Sequence, residues 1–317
     1  MSVANANGYP PNGGTSFSNA TGLIPELYAK EFNIKYWAET LMPRISTGKF
    51  YEGVLGMGDK VYVAGTPSIT TAAYTKGASL DAQVPTSTPI TLTVDRARYF
   101  NLTLDDVDEK QSHLDVAGKY VEVGLKQMSQ DIESEFFEDI VGAAHASNRG
   151  ATAGAKSGAF NLGTTGAPLA ITAANVVDVI TRVRAVLAEQ NATQSGKICI
   201  VAPVWFRYLL MNSELRQAYV TGDNKSVLRS GLVGSIDGVD IYESNLLFSE
   251  TMDGQSGTHI YAFNPDAVSF IAQLNKSEKL RSTDTFATLF RSLMVYDWAV
   301  RKPEGLVEIC GYNGGMT

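Results

Sequence analysis

The sequence predicts an α+β protein that carries extended arms. Three observations lead to this fold class: a strand pattern of about 15 residues from Ile90 to Leu104, a helix pattern of about 30 residues soon after it, and a later segment where helices and strands alternate. Average strands have about 5 or 6 residues and average helices about 11 or 12. The first two elements are therefore longer than an ordinary compact domain needs.

Composition indicates a folded protein with an acidic surface. The chain has 317 residues, of which 44% are hydrophobic and 19% charged, and its net charge is −7. A chain of this length is enough for one large domain or two domains of ordinary size. Because phosphate binding depends on Lys and Arg, the charge disfavours a specific DNA-binding protein. DNA is expected at most as a non-specific neighbour.

The first element along the chain is an N-terminal arm. Residues 1–22 are rich in Gly, Asn, Ser and Pro and contain no secretory signal pattern. From Leu23 the pattern predicts a short amphipathic helix that stops near Pro43. No run of 18 apolar residues follows anywhere, so no membrane span is predicted.

The second element is a long strand. From Ile90 to Leu104, six of the eight even positions are apolar and the odd positions are mostly polar, which is a strand pattern. Its predicted partner is the segment Lys60 to Ala64. The residues between them contain too few large apolar side chains for a core, and a structureless loop of that length inside a compact domain is uncommon. We expect a β-arm that projects from the body and rests on something else.

The third element is the long helix, predicted from about residue 113 to residue 145. Ser112 is its predicted N-cap, and Asp115 is placed to meet the free N–H groups of the first turn. A helix of this length spans about 50 Å. Glu122 and Lys126 have the favourable i, i+4 order. The apolar stripe consists of Ala117, Val121, Leu125, Met128, Ile132, Phe136, Ile140 and Ala143.

The fourth element is an α/β unit over roughly residues 170–275. Thr172 is predicted to cap a helix, KICIVAP reads as a buried strand, and Pro203 begins a second helix. The segments GVDIYESNLL and HIYAFNPDAVSFIAQL read as further strands. The tail from Phe286 returns to a strand pattern, and we expect it to lie beside the long helix.

No sequence pattern predicts catalytic, cofactor-binding or metal-binding residues. His113, His145 and His259 are far apart and lack metal-ligand spacing. Gly150 to Gly158 and Gly231 to Gly238 contain glycines but do not match a phosphate loop or a dinucleotide loop. Asp105 to Lys110 lacks the glycine of a calcium loop, and paired carboxylates stay open because sequence does not show spatial pairing. Cys199 and Cys310 lie in apolar stretches and are expected to be buried thiols without a disulfide.

The order of these elements resembles the major capsid proteins of tailed bacteriophages, which have the Hong Kong 97-type fold. The resemblance rests on the flexible arm, the β-loop that ends in TVDRARYFNLTLDDVDEKQSHLD, the single long helix after it, and the α/β unit with VAPVWFRYLL and GLVGSIDGVDIYESNLL. The closing segment VYDWAVRKPEGLVEICGY is similar to the last strands of the family. The resemblance implies an N-terminal arm (1–46), an E-loop (47–104), a P-domain with the spine helix (105–170), an A-domain (171–275) and C-terminal P-domain strands (276–317).

The resemblance also implies a function and a set of partners. The chain is expected to be a structural, non-enzymatic protein without cofactors that assembles with itself as pentamers and hexamers around DNA. Because it begins almost directly with the arm, a separate scaffolding protein is expected, together with a portal and a possible decoration protein. The expected location is the virion, after assembly in the host cytoplasm, with no membrane partner. The alternatives are an encapsulin-type nanocompartment shell and, from another class, a soluble α/β enzyme.

Overall fold

The structure is a computed structural model of the whole chain. The predicted N-terminal arm up to residue 39, and the predicted cap of the long helix at Ser112 and Asp115, lie outside the residues it describes. The described residues are 40–46, 60–63, 67, 69–77, 79, 82–86, 89–106, 116–193, 198–212 and 235–315.

Four α-helices and twelve strands are named within these ranges. The helices are α1 (Met42–Ile45), α2 (Val116–Asp139), α3 (Val176–Glu189) and α4 (Val204–Asn212), with short 3-10 turns at Ala146–Asn148 and Pro303–Gly305. The strands are β1 (Lys60–Val63), β2 (Ile90–Thr93), β3 (Arg96–Asp105), β4 (Leu169–Ile171), β5 (Ile198–Ala202), β6 (Ser235–Ile236), β7 (Val239–Glu243), β8 (Ser249–Met252), β9 (Gln255–Phe263), β10 (Val268–Arg281), β11 (Ala287–Val300) and β12 (Leu306–Asn313).

The strands form three sheets of very different size. A mixed seven-stranded sheet has the order β4-β12-β9-β5-β7-β6, with β8 paired to β9. A three-stranded antiparallel sheet has the order β10-β11-β3, and β1 and β2 form a separate antiparallel pair. The chain is therefore an α+β protein, as predicted. None of the described helices is both long enough and apolar enough to span a bilayer.

Layers on both faces bury the centre of the seven-stranded sheet. All five residues of β5 are buried, as the apolar run KICIVAP predicts. Ile198 and Ile200 belong to the core with α3 and α4, whereas Cys199 and Val201 belong to the core with Phe136 of α2. Alternate residues of one strand thus face two different cores, because successive side chains point to opposite faces.

The helix around residue 180 begins later than predicted. Thr172 was expected to cap it, but α3 begins at Val176, and the Thr172 N–H instead donates to the side-chain oxygen of Asn175 at 2.8 Å. The polar segment TAAN forms a turn held by this bond, and Thr172 therefore lies before the helix. The prediction for α4 is confirmed, because Val204 follows Pro203 directly.

The long helix is confirmed, but its predicted end is wrong. α2 ends at Asp139 and has 24 residues, so its described length is about 36 Å. Gly142 takes φ +74°, a left-handed conformation that commonly ends helices. Ile140 and Ala144 beyond the helix are still buried, so the apolar spacing continues past its end. The predicted pair Glu122 and Lys126 forms an ion pair at 2.7 Å.

The predicted long strand is two strands in two sheets. Its partner was predicted correctly, since Lys60 of β1 lies opposite Thr93 of β2. After Val94 and Asp95, however, β3 pairs with β11 instead. The predicted alternation persists across the break, because Val94 is buried and Asp95 is exposed. A period of two residues does not reveal a change of sheet.

Pro43 is the second residue of the short helix α1, whereas the amphipathic helix predicted to stop near it lies outside the described residues. It lies in the first turn of α1, where a missing N–H removes no helical hydrogen bond. Leu41, Met42 and Ile45 are buried against the core that contains α2. The Leu41 N–H donates to Glu133 of α2 at 2.7 Å, which attaches this segment to the long helix.

The C-terminal tail divides between two sheets. β11 lies beside α2, as expected for the tail, and its Trp298 ring meets Phe136 edge-on at 5.6 Å between centroids. β12 instead pairs with β4 and β9 in the seven-stranded sheet. The predicted domain boundaries stay a prediction. Both large sheets contain strands that are distant in sequence.

Candidate assembly surface

The arm, defined here as the described residues from Lys60 to Thr93, exposes several large apolar side chains. Four of its large side chains, Tyr62, Ile69, Tyr74 and Val84, are between 66% and 87% exposed. Gln83 joins the two sides of the arm by hydrogen bonds to the backbone of Thr70, at 3.1 and 2.6 Å. Clusters of exposed apolar side chains on a soluble protein usually mark a contact surface.

An ionic anchor holds the strand that leads out of the arm. Arg96, the first residue of β3, binds Glu135 at 2.9 Å and Asp139 at 2.6 Å, and its guanidinium lies 4.1 Å above the Trp298 ring. Arg98 binds Glu135 at 2.8 Å. The hydroxyl of Tyr296 donates to the same carboxylate at 2.7 Å.

The geometry of the anchor follows from two periodicities. Arg96 and Arg98 are two residues apart in a strand, so they share one face of β3. Asp131, Glu135 and Asp139 are four residues apart and share one face of α2. Burial opposes ionisation of Glu135, but hydrogen bonds from Tyr296 and the two arginines outweigh it and lower the pKa of Glu135. The sequence contained the signal, since these arginines occupy the apolar face of the strand pattern.

One acid beside the anchor is held in an unfavourable environment. Asp297 is nearly buried, with its carboxylate 3.7 Å from Nε of Arg96. Burial raises the pKa of Asp297 to about 6. Asp95 and Asp139 add to the effect, while Arg96 and the hydrogen bond from the Trp298 N–H oppose it. The ionised carboxylate therefore destabilises the fold at neutral pH.

We expect Asp297→Asn to stabilise the subunit in a pH-dependent way. The unfolded chain ionises Asp297 near pH 4 and the folded site ionises it near pH 6, so the wild type loses stability as pH rises through about 4 to 6. Above that window the variant should be about 2 to 3 kcal/mol more stable, and below about pH 4 the difference should vanish. Urea unfolding of unassembled subunits at pH 4 and pH 8 measures it. An equal gain in the free energy of unfolding at both pH values would contradict the view that the buried Asp297 carboxylate destabilises the fold. A similar gain from Asp284→Asn, at an exposed position, would also contradict it.

A groove opens beside the anchor, between β3 and the first half of α2. Its volume is about 730 Å³, and its apolar rim includes Tyr99, Tyr120 and Val123, which are 78%, 44% and 38% exposed. Gly124 lets helix and strand approach closely, because a Cβ there would lie 3.2 Å from the Phe100 ring. The groove is thus a second exposed apolar surface, next to the base of the arm.

The three histidines have separate environments. His113 lies outside the described residues, and the exposed His145 caps a 3-10 turn by accepting from the Ser147 N–H at 3.2 Å. His259 is fully buried between Glu308 at 2.8 Å and Glu250 at 3.1 Å. Burial alone lowers the pKa of His259, but the hydrogen bonds to Cys310 and the two glutamates raise it to about 10. Sequence spacing did not predict this cluster, because its members lie on three different strands.

Both cysteines are buried and neither forms a disulfide, as predicted. Cys199 lies in β5 and Cys310 in β12, within the same sheet. Cys310 belongs to the cluster around His259, whereas Cys199 packs with Val201 in the core that faces α2.

The glycine-rich segments have structural roles in the part of the chain that the structure describes. In the loop Gly150 to Gly158, the N–H groups of Lys156 and Ser157 donate to the Glu189 carboxylate at 2.7 and 3.1 Å. A side chain of the protein thus takes the amides that a phosphate would need. Asp237 and Gly238 both have positive φ and form the two-residue turn between β6 and β7, which is a hairpin. Residues 107–110 of the predicted acidic turn lie outside the described ranges.

The fold and these surfaces together define the class of the protein. A spine helix, a projecting β-arm, a three-stranded sheet and an α/β unit make up the Hong Kong 97-type fold of phage capsid subunits. The family model described as phage capsid protein matches residues 86–309, which is more than half of the chain. The chain therefore belongs to the phage capsid protein family, and its function is that of a phage capsid protein.

Solved structures agree on the fold. A structure from Mycobacterium phage Che8 has a TM-score of 0.70 and 24% identity, covering 90% of this chain and 96% of that chain. The capsid structure of cyanophage P-SCSP1u has a TM-score of 0.62 and 16% identity, covering 99% and 100%. The mature capsid of bacteriophage PhiM1 has a TM-score of 0.63 and 17% identity, covering 92% of each chain. A comparison with curated proteins gave no match. The family match does not favour the nanocompartment or the soluble enzyme.

Proposed function

We propose that this chain closes a shell by laying the arm of one copy into the groove of a neighbouring copy. The observation that carries the proposal is that one subunit exposes both surfaces. Tyr74 and Val84 of the arm are 70% and 87% exposed, and Tyr120 and Val123 of the groove also face solvent. Burying apolar area is worth roughly 25 cal/mol per Å², so each such contact favours association.

The proposed contact joins two different surfaces, the arm of one copy and the groove of another. This difference determines the symmetry with which copies can assemble. Arm and groove form a head-to-tail pair, and such pairs close only through rotational symmetry. Each subunit gives one arm and receives another, so weak contacts combine into a stable shell by avidity. The anchor supports this role, because Arg96 and Arg98 fix the strand at the base of the arm to α2.

The remaining partners belong to the same proposal. Pentamers and hexamers of one sequence need different curvature, and a separate scaffolding protein would supply that choice. A portal, a possible decoration protein, assembly in the host cytoplasm and final location in the virion follow from the role of a coat protein. The net charge of −7 supports DNA as a neighbour that the inner wall does not bind tightly. The protein is proposed to act without catalysis or membrane contact.

The groove is tested by placing a charge in it. Val123→Glu adds a carboxylate to a rim that assembly would bury, and a buried unpaired charge is strongly unfavourable. We expect at least a tenfold loss of closed shells, which corresponds to about 1.4 kcal/mol. Unassembled subunits should keep the thermal midpoint of the wild type, because Val123 is exposed there. Electron microscopy and sedimentation measure the shells.

The matched control is Val141→Glu. Val141 is 37% exposed, against 38% for Val123, and follows the other end of α2. The control is expected to form shells. If Val123→Glu also forms them at the wild-type yield, the groove is not the contact surface. Uniform, correctly closed shells from this chain expressed alone would contradict the separate scaffolding protein.

A further inference from the structure

The buried cluster around His259 brings three kinds of metal-ligand atom together. His259 of β9 lies directly opposite Cys310 of β12 in the antiparallel ladder. Glu308 precedes Cys310 by two residues in the same strand, so its side chain is on the same face. The three side chains are 0%, 7% and 4% exposed in the order His259, Cys310 and Glu308. Nitrogen, thiol sulfur and carboxylate oxygen thus meet inside the protein.

The distances are close to those of a coordination site. Nδ1 of His259 lies 2.8 Å from Oε1 of Glu308 and 3.8 Å from Sγ of Cys310, and all three atoms lie within 4.8 Å of one another. Bonds of about 2.0 to 2.3 Å in tetrahedral geometry place such atoms roughly 3.3 to 3.8 Å apart. Widening the distance between Nδ1 of His259 and Oε1 of Glu308 by about half an ångström would bring that pair into this range.

We propose that His259, Glu308 and Cys310 bind a divalent transition-metal ion, with zinc as the best fit. A mixed set of imidazole, thiolate and carboxylate suits zinc better than magnesium or calcium, which prefer oxygen ligands alone. The proposal goes beyond the function in assembly and does not depend on it. A metal here would join β9 to β12 in the middle of the large sheet.

Two neighbouring groups already orient the ligands. Glu250 lies 3.1 Å from Nε2 of His259, so it accepts the Nε2 proton and leaves Nδ1 to face the ion. The Gly142 N–H donates to Oε2 of Glu308 at 3.0 Å and leaves Oε1 for the ion. Carboxylate partners of this kind orient metal-binding histidines in proteins generally. Glu250 is therefore a positioning residue and Gly142 supports the other ligand.

The charge of the cluster also permits an ion. A divalent ion that displaces one proton from Nδ1 of His259 and one from Sγ of Cys310 exchanges two positive charges for two, so the net charge of the cluster stays the same. Burial of the ion therefore adds no uncompensated charge to the core. The rival state contains no ion: the His259 imidazole keeps its proton on Nδ1 and lies between Glu250 and Glu308.

Cobalt binding to the untagged full chain distinguishes the two states. After treatment with a chelator, Co²⁺ is added and the thiolate-to-cobalt charge-transfer band is recorded in the near ultraviolet. We expect about one ion per subunit and a clear band, because Cys310 supplies the sulfur. Cys310→Ala should lose the band, whereas Cys199→Ala should keep it, since Cys199 is the other buried thiol of the sheet.

A second measurement uses conservative changes and does not need the cysteine variant to fold. Glu250→Gln should weaken zinc binding about 10- to 100-fold, as other outer carboxylates do. Zinc should raise the thermal midpoint of the wild type in a concentration-dependent way and that of Glu250→Gln only at higher concentration. The proposal is overturned if the wild type binds no cobalt at stoichiometric concentration and its thermal midpoint does not change with zinc. The cluster then holds a proton and no metal ion. A cobalt band that persists in Cys310→Ala would also overturn it.

Discussion

A subunit whose arm is cut back to a two-residue turn is expected to fold normally and to form no shells. Val63 of β1 lies directly opposite Ile90 of β2, so residues 64–89 can be replaced by Asn-Gly, the pair that favours a tight hairpin. The body should be unaffected, because the side chains removed include Ile69, Tyr74 and Val84, which cover nothing in the lone subunit.

The expected loss of shells is large because every subunit loses a contact. Copies in a closed shell are held by many weak contacts, and removing one contact type from all of them removes avidity as well. Size-exclusion chromatography and electron microscopy should show only small oligomers, with the thermal midpoint of the unassembled subunit unchanged. The control Lys76→Gln, at an exposed turn of the arm, keeps its length and apolar side chains and should assemble. Full-sized shells from the shortened chain would show that the arm is dispensable.

Phe136→Ala is expected to have the largest effect on the stability of the subunit itself. Phe136 of α2 is fully buried, and its ring centroid lies 5.3 Å from Phe137, 5.6 Å from Trp298 and 6.3 Å from Phe263. One side chain thus joins the long helix to β9 and β11. Truncation should cost about 3 to 5 kcal/mol, since it leaves a cavity among rings from separate elements.

Urea unfolding of unassembled subunits measures this loss, and Phe286→Ala is the matched control. Phe286 is 83% exposed at the end of the hairpin between β10 and β11, so its removal should change stability by less than about 0.5 kcal/mol. Similar losses in the two variants would mean that α2 is not packed on the sheets as described. A variant that does not fold at all agrees with the upper end of the range, and Phe136→Leu should then recover folding.

Local patterns predicted the elements of this fold but not how they are joined. Alternation from Ile90 to Leu104 predicted both exposed and buried faces correctly, because side-chain direction depends only on neighbouring residues. The change of sheet after Val94 depends on β11, nearly 200 residues away, and no local signal contains that pairing. Likewise, apolar spacing continued past Asp139 while the backbone turned at Gly142.

The polar groups were harder to predict than the apolar ones. Arg96 and Arg98 interrupt an otherwise apolar strand face, and this was a readable sign that acids would lie opposite them. His259, by contrast, meets Glu308 and Cys310 only because β9 pairs with β12 in one register. Such a cluster depends on sheet topology, which sequence spacing does not contain.

The claim on which the rest depends is that the arm becomes stable only when another copy covers it. Hydrogen exchange, compared between unassembled subunits and closed shells, measures this directly at the amides of residues 69–74. We predict that these amides exchange at least about tenfold more slowly in the shell. A contact that raises the free energy of local opening of the arm by about 1.4 kcal/mol has that effect. The β5 amides of the buried sheet should be slow in both states. Equal protection of the arm in the lone subunit and in the shell would contradict the account.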